Sequence, residues 1–243
     1  MTSPHLPLAH DRPHHADAVG WRLVDMEGLL LDFNGTISDD ERLLSELIRA
    51  LARETLGVEL SAERYIVAFA GRSDRDILHA LSSESTLAHA PVDALVAELA
   101  DRYAHAAESV QLISEATRDF VRDAAAAGLA LAVVTGASRL NVLPALRRAG
   151  LSDLLRTVVT EDDVAQGKPH PEGFQRGAGL LGITDPRRIA VLEDSLPGIA
   201  AARAAGMRVL AVTGTHPEPE LRLHADGVLS SLGPAVLTQQ FGC

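Results

Sequence analysis

Gly28-Leu29-Leu30-Leu31-Asp32 is a continuous apolar run that ends in an acid. Strands of a parallel sheet are covered on both faces, so they read as unbroken apolar stretches rather than as alternating ones. Three further runs have this form. They are Leu129-Ala130-Leu131-Ala132-Val133-Val134-Thr135, Arg188-Ile189-Ala190-Val191-Leu192-Glu193-Asp194 and Met207-Arg208-Val209-Leu210-Ala211-Val212. Helical stretches at 118–127, 139–149 and 197–205 stop at Gly128, Gly150 and Gly206, where glycine readily takes the left-handed turn that ends a helix. Pro144 falls inside the second stretch and predicts a bend or a late start there. Buried strands alternating with helices predict an α/β fold, a Rossmann-like doubly wound parallel sheet.

Residues 39–112 break the alternation. They carry amphipathic helical runs at 40–56, 74–81 and 91–108, with little strand signal. The reading is an inserted all-helical cap at 39–112, with the core at 21–38 and 113–243. An insert placed after the first strand overhangs the carboxyl ends of the strands, where open α/β sheets bind ligands, so it can serve as a lid. Residues 1–20 hold three prolines and four histidines without apolar periodicity. They read as a mobile extension, and His10, His14 and His15 as part of a solvated tail rather than a metal site. Order is expected from Trp21–Val24 onward. No internal repeat is visible.

The chain has 243 residues and a formal net charge of −11, with 47% hydrophobic and 23% charged residues. This composition reads as soluble and globular. A general nucleic-acid binder would need a basic stripe, so that class is excluded. A phosphorylated substrate is not, because a local cation or metal inverts the field of a site. No apolar stretch is long enough for a bilayer, and no secretory pattern precedes the core. Cys243 is the only cysteine, so no internal disulfide forms and a reducing cytoplasm is expected.

Three polar clusters end three of the expected strands: Asp32-Phe33-Asn34-Gly35-Thr36, Thr135-Gly136-Ala137-Ser138 and Glu193-Asp194-Ser195. Between the last two lies Lys168, the one lysine beside twenty-one arginines. An ammonium is a compact point charge and a guanidinium a wide planar fork, so a tight site can require the former. If the sheet forms, these groups meet at one rim. Asp32 could then attack phosphorus. Asp32 and Asp194 could share Mg²⁺, which favours oxygen ligands. Lys168 and the Thr135 hydroxyl could hold phosphoryl oxygens, with the Gly35 N–H facing the same atoms.

The four motifs, in this order, resemble those of the haloacid dehalogenase-like hydrolase superfamily, in particular its capped small-metabolite phosphatases and β-phosphoglucomutase-like members. The resemblance covers about residues 22–230. The Asp-x-Asp-Gly-Thr motif of that family reads here Asp32-Phe33-Asn34-Gly35-Thr36. The strand ending in Ser or Thr matches Thr135, the Lys-Pro pair Lys168-Pro169, and the acidic pair with its helix start Glu193-Asp194-Ser195-Leu196-Pro197-Gly198-Ile199. The resemblance implies that Asp32 is the nucleophile, that Gly35, Thr36, Thr135 and Gly136 surround the phosphoryl group, and that Lys168 neutralises charge. It also implies that Asp32, Asp194 and the Asn34 carbonyl hold Mg²⁺. Glu193 is either near the metal or a carboxylate at a helix N-terminus. Thr135 has a helix-capping alternative.

Asn34 departs from the family pattern. The Asp expected there protonates the leaving group and then deprotonates water, and an amide does neither. General acid–base catalysis contributes about 10²–10⁴-fold. The substitution implies a slow phosphatase or one with a good leaving group, a proton supplied by another residue, a binding site with little turnover, or an engineered residue.

In the cap, Gly71-Arg72-Ser73-Asp74-Arg75-Asp76 resembles the family segment that faces the site. Ser73 is expected to cap a helix with Asp76 as its reciprocal carboxylate. Arg72 or Arg75 could reach a substrate anion, the alternative being that both are solvated residues at the helix start. His79 is read as packing or surface. Asp39, Asp40 and Glu41 are read as the hinge and first turn of a helix. The expected function is a Mg²⁺-dependent phosphatase of a small phosphorylated metabolite, acting through an aspartyl-phosphate. A sugar-phosphate mutase and a phosphometabolite-binding protein are the alternatives.

Overall fold

A computed structural model describes residues 20–88 and 90–242. The expected extension at 1–20, apart from Gly20, and Cys243 lie outside them. The chain runs β1 (Gly28–Leu31), α1 (Glu41–Leu51), α2 (Ala62–Ala68), α3 (Asp74–Glu84), α4 (Val92–Ala107), α5 (Glu115–Ala126), β2 (Ala130–Val134) and α6 (Arg139–Arg148). It continues through β3 (Thr157–Val159), α7 (Glu172–Leu181), β4 (Ile189–Glu193), α8 (Leu196–Ala204), β5 (Arg208–Val212), α9 (Glu218–Leu221) and β6 (Gly227–Leu229).

The strands form one parallel sheet in the order β3-β2-β1-β4-β5-β6. The chain steps outward from β1 to β2 and β3, then returns to the other side of β1 to start β4. That reversal makes a crevice between the carboxyl ends of β1 and β4. The apolar runs are explained by cover on both faces. Leu29 and Leu31 pack with Leu131, Val133, Phe120 and Val142, whereas Leu30 packs with Ala132, Val134, Phe174, Ile199 and Ala202. Helices α5 and α6 thus cover one face and α7 and α8 the other.

The chain leaves the sheet after β1 and returns to it before α5, and the Asp39 N–H donates to the Leu112 carbonyl (2.8 Å). Between these points α1–α4 build a hydrophobic cluster of their own around Leu44, Ile48, Tyr65, Ile77, Leu81, Leu99 and Tyr103. In α1 the buried residues Leu44, Ile48 and Leu51 fall on one helical face, spaced by four and three. Helix α2 is short and was not separated in the sequence. Helix α6 starts at Arg139, directly after its cap Ser138, so the late start at Pro144 does not occur and Pro144 lies inside the helix. Among the described residues no helix is long and apolar enough to cross a membrane.

Candidate active site

Asp32 follows β1, and Glu193 and Asp194 stand at the end of β4, so the sheet reversal brings three carboxylates together. Their oxygens lie within 4.8 Å of one another and all three residues are buried. Lys168, on the loop before α7, reaches between them. Its Nζ donates to Asp32 Oδ1 (2.5 Å) and to Glu193 Oε1 (2.5 Å), with the lysine side chain only 8% exposed. An ammonium fits this gap where a forked guanidinium would not.

Each acid has a defined seat. Glu193 Oε2 accepts from the Ser195 N–H (2.7 Å) and Ser195 Oγ (2.9 Å). Asp194 accepts from the Thr215 hydroxyl, and Thr36 Oγ1 lies 3.5 Å from its other oxygen. Gly35 has φ +72°, and a Cβ there would sit 2.0 Å from Asp194 Oδ2, so both the turn and the close approach demand glycine. Burial pushes Asp32 up to about 7, against the Lys168 ammonium and with the Glu193 charge. Asp194 is pushed well above the usual carboxylate range by burial and then by Glu193, Asp32 and Glu41. Burial disfavours the Lys168 ammonium, but Asp32 and Glu193 outweigh it and leave the group above its ordinary value. A crowd of acids facing one ammonium has a deficit of positive charge. All the available donors are oxygens, so the set fits a divalent hard cation.

The cap closes over this rim. The Asp74 N–H donates to the Gly136 carbonyl (3.2 Å), and the Arg75 N–H donates to Glu161 Oε2 (2.9 Å). Asp32, Asn34, Lys168 and Asp194 share a cavity of about 20 Å³ with Glu41, Tyr65, Arg72, Asp74 and Gly136. That is room for about one water. Thr135 and Gly136 wall an adjoining cavity of the same size together with Lys168. A larger one of about 380 Å³ lies on the other side of Glu41 and Tyr65, between α1, α2 and the loop Thr213–Thr215.

Several expectations need correction. The Gly35 N–H is not free for a phosphoryl oxygen, because it donates to the Ser38 carbonyl (2.8 Å) within its own turn. Arg75 does not line the acidic cavity. Its guanidinium pairs with Asp93 on α4 at the exposed surface. The Ser73 cap forms, with its Oγ accepting from the Asp76 N–H (3.1 Å), but α3 shows no return bond from the Asp76 carboxylate. Thr135 Oγ1 accepts from the Ala137 N–H (3.1 Å), while the cap of α6 is Ser138. Thr36 bears on Asp194 rather than lining the cavity. Arg72 does line it, and His79 is exposed.

Sequence reasoning missed four groups. Asp40 is buried, accepts from Asn34 Nδ2 (3.0 Å) and from the Tyr103 hydroxyl, and is pushed up to about 6, chiefly by burial. Glu41 and Tyr65 come from the cap and wall the cavity. Thr215 follows β5 in Thr213-Gly214-Thr215 and could have been found by the rule that picked Thr135-Gly136, since both follow a strand end.

Residues 29–212 match the family model described as haloacid dehalogenase-like hydrolase. The chain is 30% identical over 203 residues to validoxylamine A 7'-phosphate phosphatase of Streptomyces hygroscopicus subsp. limoneus, covering 84% of this chain and 92% of that protein. It is 31% identical over 199 residues to the CbbY protein of Rhodobacter capsulatus, covering 77% and 85%. Among solved structures, a mutant of CbbY from Rhodobacter sphaeroides in complex with xylulose-1,5-bisphosphate superposes with a TM-score of 0.77 at 25% identity. That match covers 88% of this chain and all of the other.

Proposed function

The chain belongs to the haloacid dehalogenase-like hydrolase family, and from that premise we propose that it is a Mg²⁺-dependent phosphatase of a small hydroxylated metabolite, working through an aspartyl-phosphate on Asp32. The observation that carries this reading is the Lys168 ammonium held 2.5 Å from Asp32 inside a buried triad of carboxylates. Lys168 keeps Asp32 ionised for attack on phosphorus and screens the approaching phosphoryl charge. The Thr135 hydroxyl, the Gly136 backbone and Arg72 take the phosphoryl oxygens. Asp32, Asp194 and the Asn34 carbonyl would hold Mg²⁺. Glu193, whose oxygens already serve Lys168 and Ser195, stands beside the ion and fixes the ammonium. When bound, Mg²⁺ supplies the positive charge that offsets the acids and polarises the phosphoryl group.

The alcohol part of the substrate belongs in the 380 Å³ cavity. Its wall of Glu41, Arg42, Ser45, Glu46 and Arg49 suits hydroxyl groups. Two relatives bear names of this substrate type, validoxylamine A 7'-phosphate phosphatase and the hexitol phosphatase A of Escherichia coli. A chain with one cysteine suits the reducing cytoplasm.

The test is phosphate release from a panel of sugar, cyclitol and polyol phosphates. Release is expected with Mg²⁺, and is expected to be lost after treatment with EDTA and in Asp32→Asn. No release from any ester, by the native protein and Asn34→Asp alike, refutes the reading.

A further inference from the structure

Asn34 stands where an acid is needed, and its amide is committed elsewhere, since Nδ2 donates to Asp40 Oδ2 (3.0 Å). Apart from Asp32, Lys168 and Asp194, the ionisable side chains on the small cavity are Glu41, Tyr65, Arg72 and Asp74. Arg72 is a donor to anions and does not wall the larger cavity. Asp74 is held well above the carboxylate range, by burial and then by Glu161, and it does not wall the 380 Å³ cavity. Tyr65 is held well above the ordinary phenol value, first by burial and then by the Glu41 and Asp74 charges.

Of these four, Glu41 and Tyr65 wall both the small cavity beside Asp32 and the 380 Å³ cavity, and of the two Glu41 is the carboxyl. Its Oε1 is buried with no hydrogen-bond partner among the described residues. An ester with phosphorus at Asp32 and its alcohol in the larger cavity puts the bridging oxygen at the wall between them, which is where Glu41 stands. Burial above all, against the Tyr65 hydroxyl and with the charges of Asp40, Asp32 and Glu193, pushes Glu41 up to about 7. A carboxyl poised there both gives and accepts a proton at neutral pH.

We propose that Glu41 is the general acid and base of this site, taking over from the cap the role that Asn34 does not perform. This rests on the phosphatase reading. In the first half-reaction an Asp32 oxygen bonds to phosphorus, the bond from phosphorus to the ester oxygen breaks, and that oxygen takes the Glu41 proton, which leaves alcohol and a Glu41 carboxylate. In the second, water bonds to phosphorus as Glu41 removes its proton. The bond from phosphorus to Asp32 breaks and the carboxylate returns. The sum is ester plus water to alcohol plus inorganic phosphate.

The test uses the full chain with Mg²⁺ and two probes, 4-nitrophenyl phosphate, whose phenolate leaves without a proton, and glycerol phosphate, whose alkoxide does not. Glu41→Gln is expected to lose about 10²–10⁴-fold on glycerol phosphate. On the aryl ester it keeps a burst of nitrophenolate and then stalls, with one phosphoryl group on Asp32 detected by mass spectrometry. Asn34→Asp added to Glu41→Gln restores turnover, and Glu41→Asp retains part of it. Native rates in Glu41→Gln overturn the proposal. So does a slow Glu41→Gln that neither accumulates phosphoenzyme nor is rescued by Asn34→Asp, since that marks a structural role. Failure of the phosphatase reading looks different, because the native protein and Asn34→Asp are then both inert.

Discussion

Gly198→Ala tests the seat of the acidic centre without touching a charged residue. A Cβ at 198 would lie 1.7 Å from Glu193 Oε1 and 1.9 Å from Glu193 Cδ. Contacts between such atoms settle near 3.5 Å, so the carboxylate must retreat by roughly 1.5 Å or more. Glu193 has no exposed surface and is held by Lys168 Nζ at 2.5 Å and by the Ser195 N–H and hydroxyl. A retreat of that size takes the Lys168 bond and one of the two Ser195 bonds out of hydrogen-bonding range. Hydrogen bonds to charged groups contribute about 1.5–3 kcal/mol each, so losing two costs about 3–6 kcal/mol. Alanine in place of glycine in a helix returns up to about 1 kcal/mol. The net loss is about 2–5 kcal/mol, a fall in Tm of roughly 4–20 °C for a chain of this length. Gly179→Ala in α7, where an added Cβ meets nothing within 4 Å, is the control and is expected to be neutral or mildly stabilising. Thermal unfolding by circular dichroism is the assay, with phosphate release as a second readout. An unchanged Tm and rate in Gly198→Ala would refute the claim that Glu193 is clamped and that the clamp positions Lys168.

Lys168→Arg is expected to lower kcat by about 10²–10³-fold, because the planar fork cannot occupy a gap that puts Asp32 and Glu193 each 2.5 Å from one nitrogen. Steady-state kinetics check this, and a native kcat would count against the tight-gap argument. Glu161→Gln is expected to flatten the dependence of Tm on pH. Burial above all raises the Glu161 carboxyl from 4.5 to about 7 in the folded chain. The folded state therefore holds more protons than the unfolded one between those values, and this group's contribution falls as pH rises from about 4.5 through 7. The loss amounts to about 3 kcal/mol at most. Parallel Tm profiles for native and variant proteins would contradict it.

The four central strands were legible because cover on both faces leaves an unbroken apolar run, as in Leu29–Leu31 or Ala190–Leu192. Strands β3 and β6 were not, since three residues each, one set including Gly227, carry no periodicity. Asp32, Lys168, Glu193 and Asp194 were legible from their places at or between strand ends. Glu41 and Asp40 were not. An acid at a helix start has a sufficient local explanation in the helix dipole. Only the packing of α1 and α4 against the first loop turns one toward the cavity and ties the other to Asn34 and Tyr103. The Gly35 N–H was misassigned for a related reason, because the turn that positions the residue also consumes its donor.

The fastening of the 71–75 segment onto the core sets an order of events. A Cβ on Gly71 would lie 2.1 Å from Ser195 Oγ, and the next turn is tied to the Gly136 carbonyl. So shut, the space beside Asp32 admits about one water. On the proposed route, the second half-reaction therefore draws its water from the room vacated by the departing alcohol. Whatever small hydroxyl compound enters that vacancy first competes for the same phosphoryl group. On that proposed route, the fit of the closed segment would set the balance between hydrolysis and transfer to another alcohol.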